Sequence, residues 1–384
     1  MTWPSVTINQ YNTHSSTPAG IENTLLFVGN AKNNKGGIIP VNAGSDLDAL
    51  LGADASPLKN FLQAALLNAG QDAFFWACIL PDAPKEPRQP EVKPVDLWKQ
   101  AILAAQESVS AEGVVLTEPV SNRDDIVALQ ALRTEIINRH KRWVWFILTV
   151  AANDGKKSWA DYVTALTALQ KDIAAPQVML VPEFFGNEPG VLAGRLCNSA
   201  VTIADSPARV ATGPLMGLKT ITRPRDSAEQ PLDLATLQAL AAVRYSVPMW
   251  YADYDGYYWA DGVTLEVNGG DYSVIEYVRI ADKAARRVRL MAIPKIADRT
   301  LNSTPGSVSA HETLFARPLR TMAKSVQING VTFPGEVRPP QKGDVTITWA
   351  DENTVNINLV VRPYASPKAI RVGIQLDHSL EDNA

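Results

Sequence analysis

Residues 143 to 150, running from Trp143 through Phe146 and Leu148 to Val150, are apolar at nearly every position. A strand with one face in water alternates in polarity, whereas a strand apolar on both faces has to be covered on both. The flanking sequence supplies the covers. Before the strand, residues 122–139 place Ile126, Leu129, Leu132, Ile136 and Ile137 at helical spacing. Ser121 stands just ahead of an acidic first turn, Asp124 and Asp125, which is the composition of a helix start. After the strand, residues 158–174 repeat the pattern with Trp159, Tyr162, Val163, Leu166, Leu169 and Ile173. Val114–Thr117 and Gln177–Val181 read as neighbouring strands, and Val201–Ala204 is expected to be another. Strand and helix in alternation predict an α/β layer built on a mainly parallel sheet. An earlier unit, strand 24–28, helix 57–69 and strand 73–80, is expected to join the same sheet. Hydrophobic residues are 46% of the 384, enough for large cores in the two or three domains such a length implies.

Most chemical classes lack their residues. With 36 basic and 40 acidic side chains the net charge is −4, without the basic excess of a nucleic-acid binder. Cys78 and Cys197 are far apart and predict two buried reduced thiols rather than a disulfide framework or a zinc cluster. Met1 to Asn9 has no basic-then-apolar signal pattern, and the longest apolar run is about half a membrane span, so a soluble protein folded in a reducing cytoplasm is expected. In the segment from Gly29 to Gly37, Lys35 precedes its glycines and no Ser or Thr follows, so it reads as a turn rather than a phosphate loop. Gly186, Gly190 and Gly194 have the wrong spacing for a dinucleotide fingerprint, and no Gly-x-Ser-x-Gly elbow occurs. His14, His140, His311 and His378 are not at metal-ligand spacing. Asp253–Gly256 lacks the later ligands of a calcium loop and reads as a turn. Trp250, Tyr251, Tyr254, Tyr257, Tyr258 and Trp259 could stack sugars, but aromatics at this density favour a core or an interface. No catalytic residue, cofactor site or metal site is assigned.

The two ends are more informative. Val6 and Ile8 alternate with polar residues in a short segment that reads as a strand on a loose arm. Beyond a proline-rich hinge, Pro334–Pro340, come Val345–Trp349, then a run with Val355, Ile357 and Leu359, then one with Ile370, Val372 and Ile374. Five prolines between Pro81 and Pro94 predict an exposed connector within the α/β region. Helices are expected from about 271 to 290 and from 308 to 324. On the second, Arg317, Arg320 and Lys324 share a face; Lys283, Arg286, Arg287 and Arg289 make another basic cluster. A tethered strand needs a partner. The partner can lie in the same chain, which pattern alone favours, or in another copy, as strand addition.

Trp259–Thr264, Asp271–Arg289, Leu319–Met322 and the closing stretch Asp344–Leu376, set between two strand-like ends, resemble a contractile-tail sheath protein. The sequence departs from the commoner family pattern at Pro4–Thr7, where a Pro-Gly-Val-Tyr start is usual, and it lacks the Phe-Glu-Pro-Asn that follows the basic helix; both mark a divergent branch. The resemblance implies an N-terminal arm (1–23), an α/β outer domain (24–245, with the loop 81–94), an α+β inner domain carrying the basic helices (246–340) and a C-terminal β arm (341–384), α+β overall. It further implies a non-enzymatic subunit without cofactors. Val6, Ile8, Val355, Ile357, Leu359, Ile370, Val372 and Ile374 would lie in strands shared between subunits, and Arg317, Arg320 and Lys324 would face a tail tube. Implied partners are other copies in helically stacked hexameric rings, the tube, the baseplate and the tail terminator, but neither nucleic acid nor membrane. The implied location is the tail of a virion or phage-tail-like particle, assembled in the bacterial host cytoplasm. The competing reading is a soluble α/β enzyme or carbohydrate-binding protein whose terminal strands close within its own chain.

Overall fold

The computed structural model describes residues 20–82 and 93–376. Along the first part of the chain, β1 (Thr24–Gly29), β2 (Ile38–Asn42), α1 (Leu47–Leu51), α2 (Pro57–Ala69), β3 (Phe74–Ile79), α3 (Pro94–Ser108), β4 (Gly113–Leu116), α4 (Arg123–His140), β5 (Trp145–Val150), α5 (Trp159–Gln170), β6 (Val178–Pro182), α6 (Glu188–Leu196) and α7 (Leu234–Ala242) form a three-layer unit. The sheet order is β2-β3-β1-β4-β5-β6, with every neighbouring pair parallel except β2 and β3. Successive side chains of each strand enter opposite cores. Leu26, Val28, Phe146 and Leu148 pack with α3, α4, α5 and α7; Leu25, Phe27, Trp145 and Ile147 pack with α1, α2 and α6. The doubly apolar β5 is therefore an interior strand between β4 and β6, covered on both faces as its composition requires.

Local chemistry explains several boundaries. Asn122, not Ser121, caps α4: its side chain accepts the Asp125 N–H at 3.0 Å, while Ser121 binds the Asp125 carboxylate. At the other end Arg139 and His140 occupy the last turn, where cations suit the helix dipole. Gly190 and Gly194 belong to α6, where a Cβ at Gly194 would lie 2.3 Å from the Ala65 carbonyl oxygen of α2 and one at Gly190 2.4 Å from that of Phe61. The glycines let two helix backbones touch. Val201–Ala204 is a turn rather than a strand. Asp205 accepts the Thr202 N–H at 2.7 Å and its hydroxyl at 2.8 Å, a local closure that competes with extended pairing.

β7 (Pro248–Tyr251) and β8 (Tyr254–Trp259) form a hairpin through a tight turn with Asp253 at φ 58°. Its aromatics pack on one another and on the α/β layer: Tyr251, Tyr254 and Tyr258 make mutual ring contacts, and buried Trp259 donates Nε1–H to Ser246 at 2.8 Å. Then come α8 (Ile275–Ala292), α9 (Pro305–Phe315), α10 (Arg317–Met322), a hairpin of β9 (Val326–Ile328) and β10 (Val331–Phe333), and a second hairpin of β11 (Val345–Trp349) and β12 (Val355–Leu359). Residues 271–273 form a turn and a bend and Val274 bridges Val263, so α8 begins only at Ile275. The helix expected over 308–324 starts earlier, at Pro305, and breaks at Ala316, because Pro318 has no N–H to continue it. Ile280, Ala284, Val288, Phe315, Leu319, Met322, Val345 and Ile347 make a third core. The change from one core to the next falls inside α8, whose Ile275 and Val278 still pack against α2 and α6.

Candidate assembly surface

The β11–β12 hairpin is a two-stranded sheet with two outer edges. Its hydrogen-bonded pairs are fixed by Val360 N–H to the Asp344 carbonyl (2.7 Å) and Ala350 N–H to the Thr354 carbonyl (2.9 Å). Antiparallel pairs alternate, so the register Val345–Leu359, Ile347–Ile357 and Trp349–Val355 turns the N–H and C=O groups of those six residues outward. On the β11 side α9 packs close, and Ile347 N–H points to the Glu312 carboxylate at 3.4 Å. On the β12 side no described strand pairs with Val355, Ile357 or Leu359, whose side chains are half-buried against the third core.

Residues 364–376 leave the body without forming a strand. The run expected to be β at 370–376 makes no ladder within the described chain. Ile370, Val372, Ile374 and Leu376 are 80%, 79%, 88% and 77% exposed. Four apolar side chains at alternate positions of one segment, all in water, are unlike scattered surface apolar residues. Val6 and Ile8 lie outside the described residues, as do His14, His378 and most of the proline-rich connector.

The basic residues divide into two kinds. Arg317 and Arg320 on α10 and Lys324 just past it are exposed, and none has a carboxylate within ion-pair distance among the described residues. Of the α8 cluster, Lys283 and Arg286 are tied up in ion pairs, whereas Arg287 and Arg289 have none among the described residues. Lys283 meets Glu336 at 2.5 Å and Arg286 meets Glu22 at 2.8 Å. Sequence reasoning missed the deeper pairs. Arg279 is fully buried and donates to both oxygens of Glu112 (2.6 and 3.2 Å), to the Leu196 carbonyl and to the Asn23 side chain. Arg133 grips Asp282 through two bonds of 2.9 and 2.6 Å. Burial alone would raise the Glu22 carboxyl, but Arg286 and Lys283 outweigh it and hold it below its ordinary value. The available signal was charge on the apolar stripe of α8: Arg279 and Asp282 sit among Val278, Ile280 and Ala284, where a solvated residue has no place.

Among the described residues no group of three His, Cys, Asp or Glu is placed to hold a metal ion, and both cysteines are buried, with burial pushing the Cys78 thiol up to about 11. No described helix is long and apolar enough to cross a membrane.

A three-layer α/β body with a core on each face of its sheet, a small third core and an exposed alternating segment at 370–376 make up the described chain. The chain belongs to the family described as DUF2586, whose N-terminal domain matches residues 3–263 and whose C-terminal domain matches 271–379. It is 45% identical over 381 residues to a candidate tail sheath protein of Haemophilus phage HP1 (strain HP1c1), covering 98% of each chain. Three solved structures share the fold. A chain of the anti-feeding prophage baseplate matches with TM-score 0.59 and 13% identity over 98% of this chain and 99% of that one. The sheath tail protein of Desulfitobacterium hafniense gives 0.55 and 11%, over 94% and 96%. That of Listeria innocua gives 0.54 and 10%, over 91% and 93%.

Proposed function

We propose that this chain is the repeating subunit of a contractile sheath, joined to its neighbours by exchanged β-strands and stacked as six-membered rings around a tail tube. Contraction of the lattice would drive the tube through a target envelope while the strand joints persist. The observation that carries this reading is the segment Ile370–Leu376, which pairs with no described strand and holds Ile370, Val372, Ile374 and Leu376 in water. The complementary feature is the outer edge of β12, which offers unpaired backbone groups at Val355, Ile357 and Leu359. We assign that edge as the acceptor, in preference to β11, whose Ile347 N–H is already occupied by Glu312. Each main-chain bond gained is worth only about 0.5–1.5 kcal/mol net. Each apolar side chain fully buried at the joint adds roughly 1.5–3 kcal/mol. Such joints outlast lateral contacts between exposed charges, which are weak and screened by salt.

Val6 and Ile8 are assigned to a second, N-terminal exchanged strand. Arg317, Arg320 and Lys324 form a free basic face suited to an acidic tube surface. The baseplate and a terminator at the far end complete the partners, and the site of action is the particle tail, assembled in the host cytoplasm. The proposed division keeps an outer α/β domain and an inner domain with the basic helices. Truncation after Ala369 tests the reading. The truncated chain keeps every described core residue, so it should melt as the full chain does and form no tubes in negative-stain micrographs. Tubes of normal length from the truncated chain would overturn it.

A further inference from the structure

The C-terminal segment is not free along its whole length. Lys368 is the one residue of 365–376 whose side chain hydrogen-bonds the rest of the described chain. Its ammonium donates to Ser206 Oγ at 2.6 Å, Asp261 Oδ1 at 2.6 Å and Glu276 Oε1 at 2.8 Å. A lysine has three N–H donors, and all three are used.

The groups that meet the lysine are held by contacts of their own. Glu276 lies in the first turn of α8 and is 3% exposed, with its second oxygen lacking any partner among the described residues. Asp261 is oriented by the Ser206 hydroxyl at 3.1 Å and by Gly262 N–H at 2.8 Å. Two carboxylates turned toward one point, one of them buried, are unfavourable unless a cation sits between them. The base of the N-terminal segment is tied to the same helix. Glu22 pairs with Arg286, and the Asn23 side chain accepts from Arg279. Positions 276 and 286 are ten residues apart on α8, about 15 Å at 1.5 Å per residue.

We propose that Ser206, Asp261 and Glu276 form a receptor for the Lys368 ammonium, which fixes where the C-terminal arm leaves the body, so that the swinging part begins at Ala369. This rests on the arm reading above. The arm then has a defined length and exit direction in the isolated subunit, and a pull on it is delivered to the N-terminal turn of α8. The receptor takes a primary ammonium at the end of a long side chain. A guanidinium cannot place three donors on acceptors arranged around one point.

The test is a pulsed electron-paramagnetic-resonance distance measurement on the full chain at concentrations below assembly. Nitroxides go on cysteines at Ala168→Cys, exposed on α5, and Arg371→Cys, three residues beyond the pin. With Lys368 present a single distance peak is expected, narrower than that of the unpinned chain because only three residues separate the pin from the label. Lys368→Met should lose that peak to a broad distribution. Because Lys368→Met leaves a buried carboxylate unpaired, the double variant Lys368→Met/Glu276→Gln keeps the body folded and should lose the peak as well. A narrow peak retained in the double variant overturns the pin. Peak loss in a chain whose tubes survive truncation after Ala369 supports the pin while removing the arm reading. A retained peak in a chain whose tubes need the segment does the reverse.

Discussion

Val372→Ser separates a strand that serves its own chain from one that serves a neighbour. In the single chain Val372 is 79% exposed, so the substitution removes almost no burial. Surface changes of this kind usually stay within about 0.5 kcal/mol, and the isolated subunit should melt as before. In a lattice joint the same side chain would be covered, and losing it costs roughly 1.5–3 kcal/mol. A factor of ten per about 1.4 kcal/mol turns that into a joint weakened roughly tenfold to a hundredfold. The readout is the protein concentration at which sedimentable tubes appear, measured beside the melt of the unassembled chain. The expected result is a rise of that concentration by one to two orders of magnitude, as that factor implies, with no change in the melt. A lowered melt with an unchanged assembly concentration would refute the reasoning, because it would put Val372 in the subunit's own core.

Gly194→Leu drives a side chain into the Ala65 carbonyl of α2, and overpacking of this sort should cost about 1–3 kcal/mol in urea unfolding. Arg279→Met leaves the buried Glu112 carboxylate without its counter-charge, with an expected loss of about 3–5 kcal/mol, while Arg279→Met/Glu112→Leu should recover much of it. Burial raises the Glu188 and Glu183 carboxyls to about 7, the latter helped by Glu118 against the pull of Lys219. With folded-state values above the unfolded one, the native protein holds more protons, so this contribution is present below about pH 4.5 and fades as pH rises through about 7. Urea midpoints should therefore fall between pH 5 and 8 by less in Glu188→Gln than in the parent.

Periodicity made much of the α/β layer legible. β5 announced its own burial on both faces, and α2, α4 and α5 carried clear apolar stripes. Other elements were hidden for physical reasons. α6 contains two glycines and a proline in nine residues, so its helical state comes from contact with α2 and not from propensity. β2 holds Pro40 and survives as an edge strand, where a missing donor is tolerated. The aromatic hairpin has no polar–apolar alternation to mark it. Buried ion pairs such as Arg279–Glu112 join residues 167 positions apart, a distance no local pattern spans. The alternating run at 370–376 was visible in sequence, but its lack of a partner among the described residues was not.

The most direct measurement is a helical cryo-EM reconstruction of assembled tubes at a resolution that traces main chain. The account predicts residues 370–376 as a strand hydrogen-bonded along the β12 edge of an adjacent copy. A map in which that segment turns back to pair with its own chain, leaving every β12 edge bare, would contradict it.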